Sequence, residues 1–193
     1  MKKAVFLDRD GTINSDENGY INKPEDFELY EFTAEAIRKL NEMDFLVFVI
    51  TNQSGIARGF YTENEMNKIH QKMLKELQKH NAEITEIFHS PYHKDGKIAP
   101  FTIDHEDRKP GLGMFKKACE KYNFSIKESY MIGDKYADIE FGKKAGLTTI
   151  LVRTGYGEKE FLENRKNWKY KPDFIAEHLL HAVLLIEKLE KKK

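Results

Sequence analysis

Phe45–Ile50 is a run of six consecutive apolar residues, FLVFVI, and it restricts the fold more than any other segment of the chain. Successive side chains of a strand point to opposite faces, so a strand of this composition is buried on both sides. Strands buried on both sides are typical of a parallel sheet that is covered by helices. Helical apolar spacing flanks this strand at Thr33–Met43 and Glu63–His80, as such a sheet requires.

Other short apolar runs continue the alternation of strand and helix along the chain. The predicted strands are Ala4–Leu7, Glu83–Phe88, Ser129–Ile132, Thr148–Val152 and Phe174–Ala176, and the further predicted helices are Leu112–Lys121, Lys135–Ala145 and His178–Lys188. This order predicts an α/β fold: a three-layer, Rossmann-like parallel sheet with helices on both faces. The length of 193 residues suits one domain, and we expect residues 1–193 to form it.

The helix predicted over Glu63–His80 carries two detailed expectations. Thr62 followed by Glu65 has the spacing of a capping box, which predicts that the helix begins after Thr62. Five apolar residues have the spacing of a single buried face: Met66, Ile69, Met73, Leu74 and Leu77.

Charge and cysteine content exclude several classes of protein. Lys and Arg together number 32, as do Asp and Glu, so the formal net charge is zero and no global field favours nucleic acid or an anionic membrane surface. No apolar run approaches the ~20 residues of a membrane span. The single cysteine, Cys119, cannot form an internal disulfide, which favours a reducing compartment. We therefore expect a cytoplasmic protein, and a monomer by default.

Two carboxylates, Asp8 and Asp10, follow the first predicted strand, and Gly11 and Thr12 suit a sharp exit from it. Carboxylates this close repel each other, so a bound cation must hold them charged or their pKa values must separate. A divalent cation, which prefers oxygen ligands, would keep both carboxylates charged. Separated pKa values would instead let one carboxylate act as a nucleophile and the other as a general acid. The alternative is an acidic surface turn.

Three further polar segments follow other predicted strands or precede a helix. Thr51 is followed by Asn52, Gln53 and Ser54; Arg108 is followed by Lys109; and Asp134 is followed by Asp138. Taken singly, these segments are also typical of a turn, a solvated basic pair and a helix cap. In a parallel sheet, however, the strand ends meet at one edge, where they would supply a nucleophile, an acid, cations and a metal ligand for phosphoryl transfer.

Taken in order, DRDGT, the Thr51 segment, Lys109 and GDKYAD resemble the four motifs of the haloacid dehalogenase superfamily phosphatases. The resemblance covers essentially the whole chain. FLDRDGTIN, TNQSGIARG, RKPG, MIGDK and LVRTG are most similar to the group that contains heptose bisphosphate phosphatases and histidinol phosphatases.

The resemblance implies a role for each acidic residue of the motifs. Asp8 would attack phosphorus and carry the phosphoryl group, and Asp10 would protonate the leaving alkoxide and then activate water. Mg²⁺ would be held by Asp8, Asp134 and the backbone carbonyl of Asp10. Asp138 would hold neighbouring groups in place.

The resemblance also implies which residues contact the substrate. Thr51, Arg108 and Lys109 would stabilise the phosphoryl oxygens. The remaining substrate contacts would come from Asp16, Gly19, Tyr20, Asn52, Gln53, Ser54 and Lys135. The loop from Asp16 to Tyr20 is one residue longer than in the family.

One departure from the family concerns a structural zinc that its members often bind through three cysteines and a histidine. Here the matching positions are Ser90, Tyr92, His105 and Asp107, so the thiolates are absent and we do not expect zinc. The alternative is a different metal site that is formed by His89, His93, His105 and Asp107.

The lengths of the connections leave no room for a separate cap domain, so we expect a capless core with an open site. Such a site suits a small sugar phosphate as partner. The leading prediction is a magnesium-dependent phosphatase that removes the C-7 phosphate of a heptose 1,7-bisphosphate, in the biosynthesis of activated heptose for cell-surface glycans. The alternatives are a histidinol-phosphate phosphatase and a catalytically silent phosphosugar-binding module.

Overall fold

The predicted alternation of strands and helices is present in the computed structural model of the chain, which describes residues 1–16 and 19–192. Within these residues the strands are β1 (Lys3–Leu7), β2 (Phe45–Asn52), β3 (Glu86–Ser90), β4 (Tyr130–Gly133), β5 (Thr148–Val152) and β6 (Phe174–Ala176). The α-helices are α1 (Thr33–Glu42), α2 (Gly55–Arg58), α3 (Glu63–Gln78), α4 (Gly113–Lys121), α5 (Tyr136–Ala145), α6 (Gly157–Lys159) and α7 (Leu179–Glu190). Residues 17 and 18 of the loop expected to contact sugar lie outside the described residues.

The six strands form one parallel sheet in the order β3-β2-β1-β4-β5-β6. The chain starts in the middle of the sheet and builds outwards on one side and then on the other, so the direction of winding reverses between β1 and β4. Leu7 at the end of β1 lies opposite Ile132 of β4. The residues that follow, Asp8 and Asp134, therefore leave neighbouring strands at the same edge, which is where ligands bind in sheets of this kind.

Helices cover both faces of the sheet, as the composition of β2 predicts. On one face, Val47 and Val49 pack in a core with residues of α1, α3 and α7. On the other face, Phe48 and Ile50 pack with residues of α4 and α5. The side chains of these four residues of β2 are fully buried. The three-layer α/β architecture is thus confirmed, and it fixes the strand ends that carry the polar residues.

Helix α3 confirms one detailed expectation and corrects another. The Thr62 hydroxyl accepts from the Glu65 N–H at 3.2 Å, and the Glu65 carboxylate accepts from the Thr62 N–H at 2.7 Å, which is the predicted capping box. Leu74, however, was expected on the buried face and is 39% exposed. His70 is buried instead, because its ring meets a polar partner from the loop after β1.

Edge strand β3 and its neighbour β2 shift from their predicted limits. β2 extends two residues past Ile50, because Thr51 and Asn52 continue the ladder with β3. β3 accordingly covers Glu86–Ser90 and not the predicted Glu83–Phe88. This extension brings Thr51 and Asn52 to the carboxyl edge of the sheet.

Among the described residues, no helix combines the length and the apolar composition that crossing a bilayer demands.

Candidate active site

A pocket of about 350 Å³ opens at the carboxyl edge of the sheet, above the ends of β1 and β2. All of the predicted site residues line it except Gln53 and Asp134. The lining residues from the prediction are Asp8, Asp10, Asp16, Gly19, Tyr20, Thr51, Asn52, Ser54, Arg108, Lys109, Lys135 and Asp138. Residues that the sequence did not single out also contribute: Ile21, Tyr61, Ala137 and Tyr156.

The Lys109 ammonium lies at the base of the pocket between two carboxylates. Its Nζ is 2.9 Å from Asp8 Oδ1 and 2.6 Å from Asp138 Oδ1, and the side chain is 1% exposed. Burial alone would lower the pKa of Lys109, but Asp138 and Asp8 outweigh burial and raise it above its ordinary value. Lys109 is therefore a fixed positive charge beside Asp8.

Two amide hydrogen bonds hold the backbone of Lys109. Asn52 Oδ1 accepts from the Lys109 N–H at 2.9 Å, and Asn52 Nδ2 donates to the Lys109 carbonyl at 3.1 Å. Asn52 thus lines the pocket and also ties the end of β2 to the segment that carries Lys109. The neighbouring Arg108 donates from Nη1 to the Tyr92 carbonyl at 3.3 Å and reaches the pocket wall.

Three carboxylates, those of Asp8, Asp134 and Asp138, form a buried cluster in which one oxygen of each lies within 4.8 Å of the others. Burial raises the pKa of Asp8 and outweighs the opposing effect of Lys109. Burial likewise raises the pKa of Asp134 well above its usual range, although Lys135 opposes it. Carboxylates with these raised pKa values are costly to keep ionised without a compensating cation.

The donor set fits a hard divalent cation such as Mg²⁺. Asp134 Oδ1 is a buried oxygen without a hydrogen-bond partner, whereas Oδ2 accepts from the Tyr156 N–H at 2.9 Å. Both oxygens of Asp138 are engaged, one with Lys109 and the other with the Lys135 N–H at 3.0 Å. Asp8 and Asp134 thus remain as the carboxylates that are available to a cation, and oxygen ligands are the ones Mg²⁺ prefers.

Glycine is required at the turn after β1. Gly11 has a φ of +84°, and a Cβ at this position would lie 2.4 Å from Asp134 Oδ2. The loop after β5 closes over the same point, since the Thr154 hydroxyl donates to the Gly11 carbonyl at 2.6 Å. The sequence indicated this loop only through the LVRTG motif, and no role was predicted for Tyr156 or Thr154.

The carboxylate of Asp10 is surrounded by hydrogen-bond donors. Arg9 contacts both of its oxygens, at 3.0 and 2.9 Å, and Asn14 Nδ2 donates to Oδ1 at 3.1 Å. Burial favours a higher pKa for Asp10, but the Arg9 guanidinium and the hydrogen bonds from Asn14 and Gln53 hold it below its ordinary value. Four hydrogen bonds thus engage the Asp10 carboxylate within the protein.

Gln53 does not contact the pocket, in contrast to the prediction. Its side chain is 1% exposed, and it bonds to Asp10, Thr51, Arg9 and Tyr61. It therefore lies beneath the pocket, bonded to residues that line it. Nothing in the TNQS segment distinguishes this inward residue from its neighbours, because the segment has no helical or strand periodicity beyond Asn52.

Tyr20 and Ser54, the residue before helix α2, line one side of the pocket mouth. The Tyr20 hydroxyl lies 3.3 Å from the Ser54 hydroxyl, and the Tyr20 ring packs edge-on against Phe60 at 4.9 Å. On the opposite wall, Lys135 Nζ lies 3.5 Å from Asp16 and 4.8 Å from the centre of the Tyr156 ring. Both walls present hydrogen-bonding groups, as a polar ligand needs.

The positions expected to hold zinc in relatives are joined here by other contacts. The Tyr92 and His105 rings stack at 3.9 Å, and Asp107 Oδ2 pairs with Lys117 at 2.6 Å. The alternative metal site is not formed, because His93 bonds to Arg58 at 3.1 Å while His89 faces Glu63. Cys119 is exposed on α4.

A parallel sheet with this strand order, carrying an acid pair after β1 and a buried lysine beside it, is the arrangement of the haloacid dehalogenase-type phosphatases. The HAD-hydrolase-like family model matches residues 107–182. The D-glycero-alpha-D-manno-heptose-1,7-bisphosphate 7-phosphatase of Photorhabdus laumondii is 39% identical over 84% of this chain and 88% of its own. The D-glycero-beta-D-manno-heptose-1,7-bisphosphate 7-phosphatase of Pasteurella multocida is 36% identical over 92% of this chain and 95% of its own.

The comparison of structures agrees. The D,D-heptose 1,7-bisphosphate phosphatase of B. bronchiseptica, solved with magnesium and phosphate, superposes with a TM-score of 0.84 at 28% identity and covers 99% of both chains. The chain belongs to the family of the D-glycero-D-manno-heptose-1,7-bisphosphate 7-phosphatases.

Proposed function

We propose that this protein is a magnesium-dependent phosphatase that removes the C-7 phosphate of D-glycero-D-manno-heptose 1,7-bisphosphate and releases heptose 1-phosphate. The observation that carries the proposal is the Lys109 ammonium, which is buried and held 2.9 Å from Asp8 Oδ1 at the base of the pocket. A fixed cation beside a carboxylate serves phosphoryl transfer, where catalysis is mainly positioning and charge stabilisation. The relatives of this chain are named for the same reaction.

In the first step, a carboxylate oxygen of Asp8 attacks phosphorus and forms an aspartyl-phosphate. The P–O bond to the sugar breaks, and its electron pair goes to the leaving oxygen, which takes a proton from Asp10. A phosphate dianion beside Asp10 favours its protonated form, because like charges repel. Lys109, Arg108 and Thr51 line the pocket, which supports a role for them in stabilising the charge of the phosphoryl oxygens.

In the second step, Asp10 removes a proton from a water molecule that attacks the same phosphorus. The bond between phosphorus and the Asp8 oxygen breaks, inorganic phosphate leaves, and the Asp8 carboxylate is restored. Asp10 is a carboxylate at this stage, because it has given its proton to the leaving sugar oxygen, and it can therefore accept a proton from water.

Mg²⁺ would be held by Asp8, Asp134 and the backbone carbonyl of Asp10, and it would supply positive charge to the transferring phosphoryl group. The unpartnered Oδ1 of Asp134 supports this assignment. Asp138, whose two oxygens are engaged, would orient Lys109 and the start of α5 without binding the ion.

The sugar would lie in the pocket mouth among Asp16, Gly19, Tyr20, Ser54 and Lys135. Loops, and no additional sheet, surround this mouth in the part of the chain that the structure describes, which supports a single capless domain over residues 1–193. An open mouth excludes water less completely than a cap domain does, so specificity would rest on a few loop contacts. We place the enzyme in the cytoplasm as a monomer that acts on small sugar phosphates and not on nucleic acid or membranes.

Substrate assays test this proposal. We expect phosphate release from the heptose 1,7-bisphosphate to exceed that from histidinol phosphate at equal concentration, with one phosphate released and the C-1 phosphate retained. Assaying the alpha and beta anomers separately identifies the preferred one, since the names of the relatives include both. Preference for histidinol phosphate would contradict the proposed substrate, and failure to hydrolyse any phosphomonoester would indicate a silent binding module.

A further inference from the structure

Arg9, the residue between the two motif aspartates, is buried beneath the active site. Its side chain is 1% exposed, although arginine is among the residues least often buried. Nε donates to Asp10 Oδ1 at 3.0 Å and Nη2 donates to Asp10 Oδ2 at 2.9 Å. This two-bond fork fixes the plane of the carboxylate as well as its position, because the guanidinium is rigid and planar.

Arg9 is itself held by a histidine from α3. Its Nη1 lies 3.0 Å from Nε2 of His70, which is 6% exposed. A guanidinium can only donate, so His70 Nε2 must accept and the imidazole must be neutral with its proton on Nδ1. His70 therefore fixes the far end of Arg9, at a position where the helical pattern would place an apolar residue.

Gln53 provides a second support for the same carboxylate. Its Nε2 donates to Asp10 Oδ2 at 2.8 Å, and its Oε1 accepts from the Tyr61 hydroxyl at 2.7 Å and from Arg9 Nη2 at 3.1 Å. Since Oε1 must face these two donors, the amide can adopt only one orientation, with its NH₂ group towards Asp10. Tyr61, which is 6% exposed, thus acts on Asp10 through Gln53.

From this geometry we infer that Arg9, supported by His70, and Gln53, supported by Tyr61, are positioning residues that set the orientation in which Asp10 meets the leaving oxygen. The inference rests on the proposed function, in which Asp10 is the proton donor. A misoriented Asp10 should slow the departure of an alkoxide, which needs a proton, much more than that of nitrophenolate, which does not. Loss of general structure would slow both.

The test compares kcat/KM for heptose 1,7-bisphosphate with kcat/KM for p-nitrophenyl phosphate, because kcat/KM reports the steps up to departure of the leaving group. We expect Arg9→Gln to lower the sugar value about 100-fold and the aryl value less than about 5-fold. Arg9→Lys keeps the positive charge but cannot form both hydrogen bonds to Asp10. Its kcat/KM for the sugar substrate should therefore stay close to that of Arg9→Gln. Tyr61→Phe, which removes one hydroxyl, should lower the sugar value about 3- to 10-fold and the aryl value by a much smaller factor.

Tyr122→Phe is the matched control, since it removes a hydroxyl that also donates at 2.7 Å, but to Glu86 on β3. It should change neither value. Equal losses on both substrates in Arg9→Gln and Tyr61→Phe, or full rescue by Arg9→Lys, would overturn the inference. If Arg9→Gln fails to fold, Tyr61→Phe decides the question alone.

Asp10→Asn separates this inference from the proposed function. If Asp10→Asn shows the selective loss on the sugar substrate and the Arg9 and Tyr61 variants do not, the positioning role is wrong and the mechanism stands. If Asp10→Asn shows no selectivity for the leaving group, the assignment of Asp10 as the proton donor fails first.

Discussion

Asp138 holds the Lys109 ammonium at 2.6 Å, and both side chains are about 1% exposed. The contact joins the start of α5 to the segment before α4, and it directs the lysine towards Asp8. Lys109 is therefore positioned by a carboxylate whose two oxygens are both engaged within the protein, because the other oxygen of Asp138 accepts from the Lys135 N–H.

The variant Asp138→Asn should lower both activity and stability. Removing one partner of a buried ion pair costs about 3–5 kcal/mol, but Asp8 still pairs with Lys109, so we expect the free energy of unfolding to fall by about 1–3 kcal/mol. We expect kcat to fall by about 10- to 100-fold, because the ammonium is no longer held in place. Steady-state kinetics and urea denaturation measure the two effects.

Asp44→Asn is the control for loss of a charge. Asp44 pairs with Lys2 at 2.8 Å, but both side chains are largely exposed, and such pairs contribute only about 0–1 kcal/mol. Its kcat should not change. If the Asp138→Asn protein were as active as the Asp44→Asn protein, the contact between Asp138 and Lys109 would not be needed for catalysis.

Magnesium should bind to a chain that is already folded. Chelation is expected to stop turnover and to leave the circular dichroism spectrum largely unchanged, because the sheet does not depend on the ion. Adding Mg²⁺ should raise the melting temperature, and at 100 times the Kd the free energy of unfolding should rise by about 2.7 kcal/mol. Collapse of the spectrum on chelation would contradict this account.

Asp134→Asn should separate metal binding from folding. Without magnesium the variant should be more stable than the wild type, because it removes one of three buried, mutually repelling carboxylates. With magnesium the order should reverse, since the variant loses a ligand and its melting temperature should respond little to the ion. A full magnesium response in Asp134→Asn would exclude Asp134 as a ligand.

Gly11→Ala should remove activity through a steric effect. The new Cβ would lie 2.4 Å from Asp134 Oδ2 at a φ of +84°. The backbone conformation alone costs about 1–2 kcal/mol for a residue with a side chain. The collision should add to this cost and displace Asp134. We expect a fall in melting temperature and loss of phosphatase activity.

Gly146→Ala is the matched control, because Gly146 also has a positive φ, +77°, but a Cβ there would meet its nearest neighbour, Ile126, at an ordinary 3.6 Å. It should show only the conformational cost and keep its kcat. If Gly11→Ala behaved in the same way, the close approach of Gly11 to Asp134 would have no functional importance.

His70 should make stability depend on pH. Burial, followed by the Arg9 charge, lowers the pKa of His70 to about 3, whereas an unfolded histidine has a pKa of about 6.5. Because the folded pKa is the lower one, the stabilisation is complete above pH ~6.5 and is lost as the pH falls towards ~3, where the unfolded chain binds the additional proton. When the pH falls from 7 to 5, the free energy of unfolding of the wild type should decrease by about 1–2 kcal/mol more than that of His70→Gln.

Glutamine at position 70 retains an acceptor for Arg9, so the comparison isolates the titration. His80→Gln, at an exposed position on the turn after α3, should keep the wild-type dependence on pH. Denaturant unfolding at several pH values measures both slopes. Parallel slopes for wild type and His70→Gln would show that the imidazole is not held neutral.

The sheet and the position of the site were predictable from sequence because each depends on local patterns. FLVFVI fixes a strand that is buried on both faces, and the polar residues after the strands then have to meet at one edge. Which side chains lie buried beneath the pocket was not predictable in this way. His70 and Leu74 both fit the periodicity of α3, and only the burial of Arg9 from a distant loop makes the histidine face inwards.

The same reason explains Gln53 and Tyr156. Gln53 looks like its neighbours in TNQS, and its inward orientation depends on Arg9 and Asp10 from the loop after β1 and on Tyr61. Tyr156 serves the site through its backbone N–H, which bonds to Asp134, so its side chain gives no sequence signal for this contact. Such contacts join segments that are distant in sequence and become visible only in the folded chain.

The central claim is that Asp8 carries the phosphoryl group, and rapid acid quench of the enzyme during turnover tests it directly. Peptide mass spectrometry of protein quenched in the presence of heptose 1,7-bisphosphate and Mg²⁺ should locate the phosphoryl group on Asp8, and Asp8→Asn should show neither the adduct nor turnover. A phosphoryl group on another residue, or undiminished phosphate release by Asp8→Asn, would contradict the account.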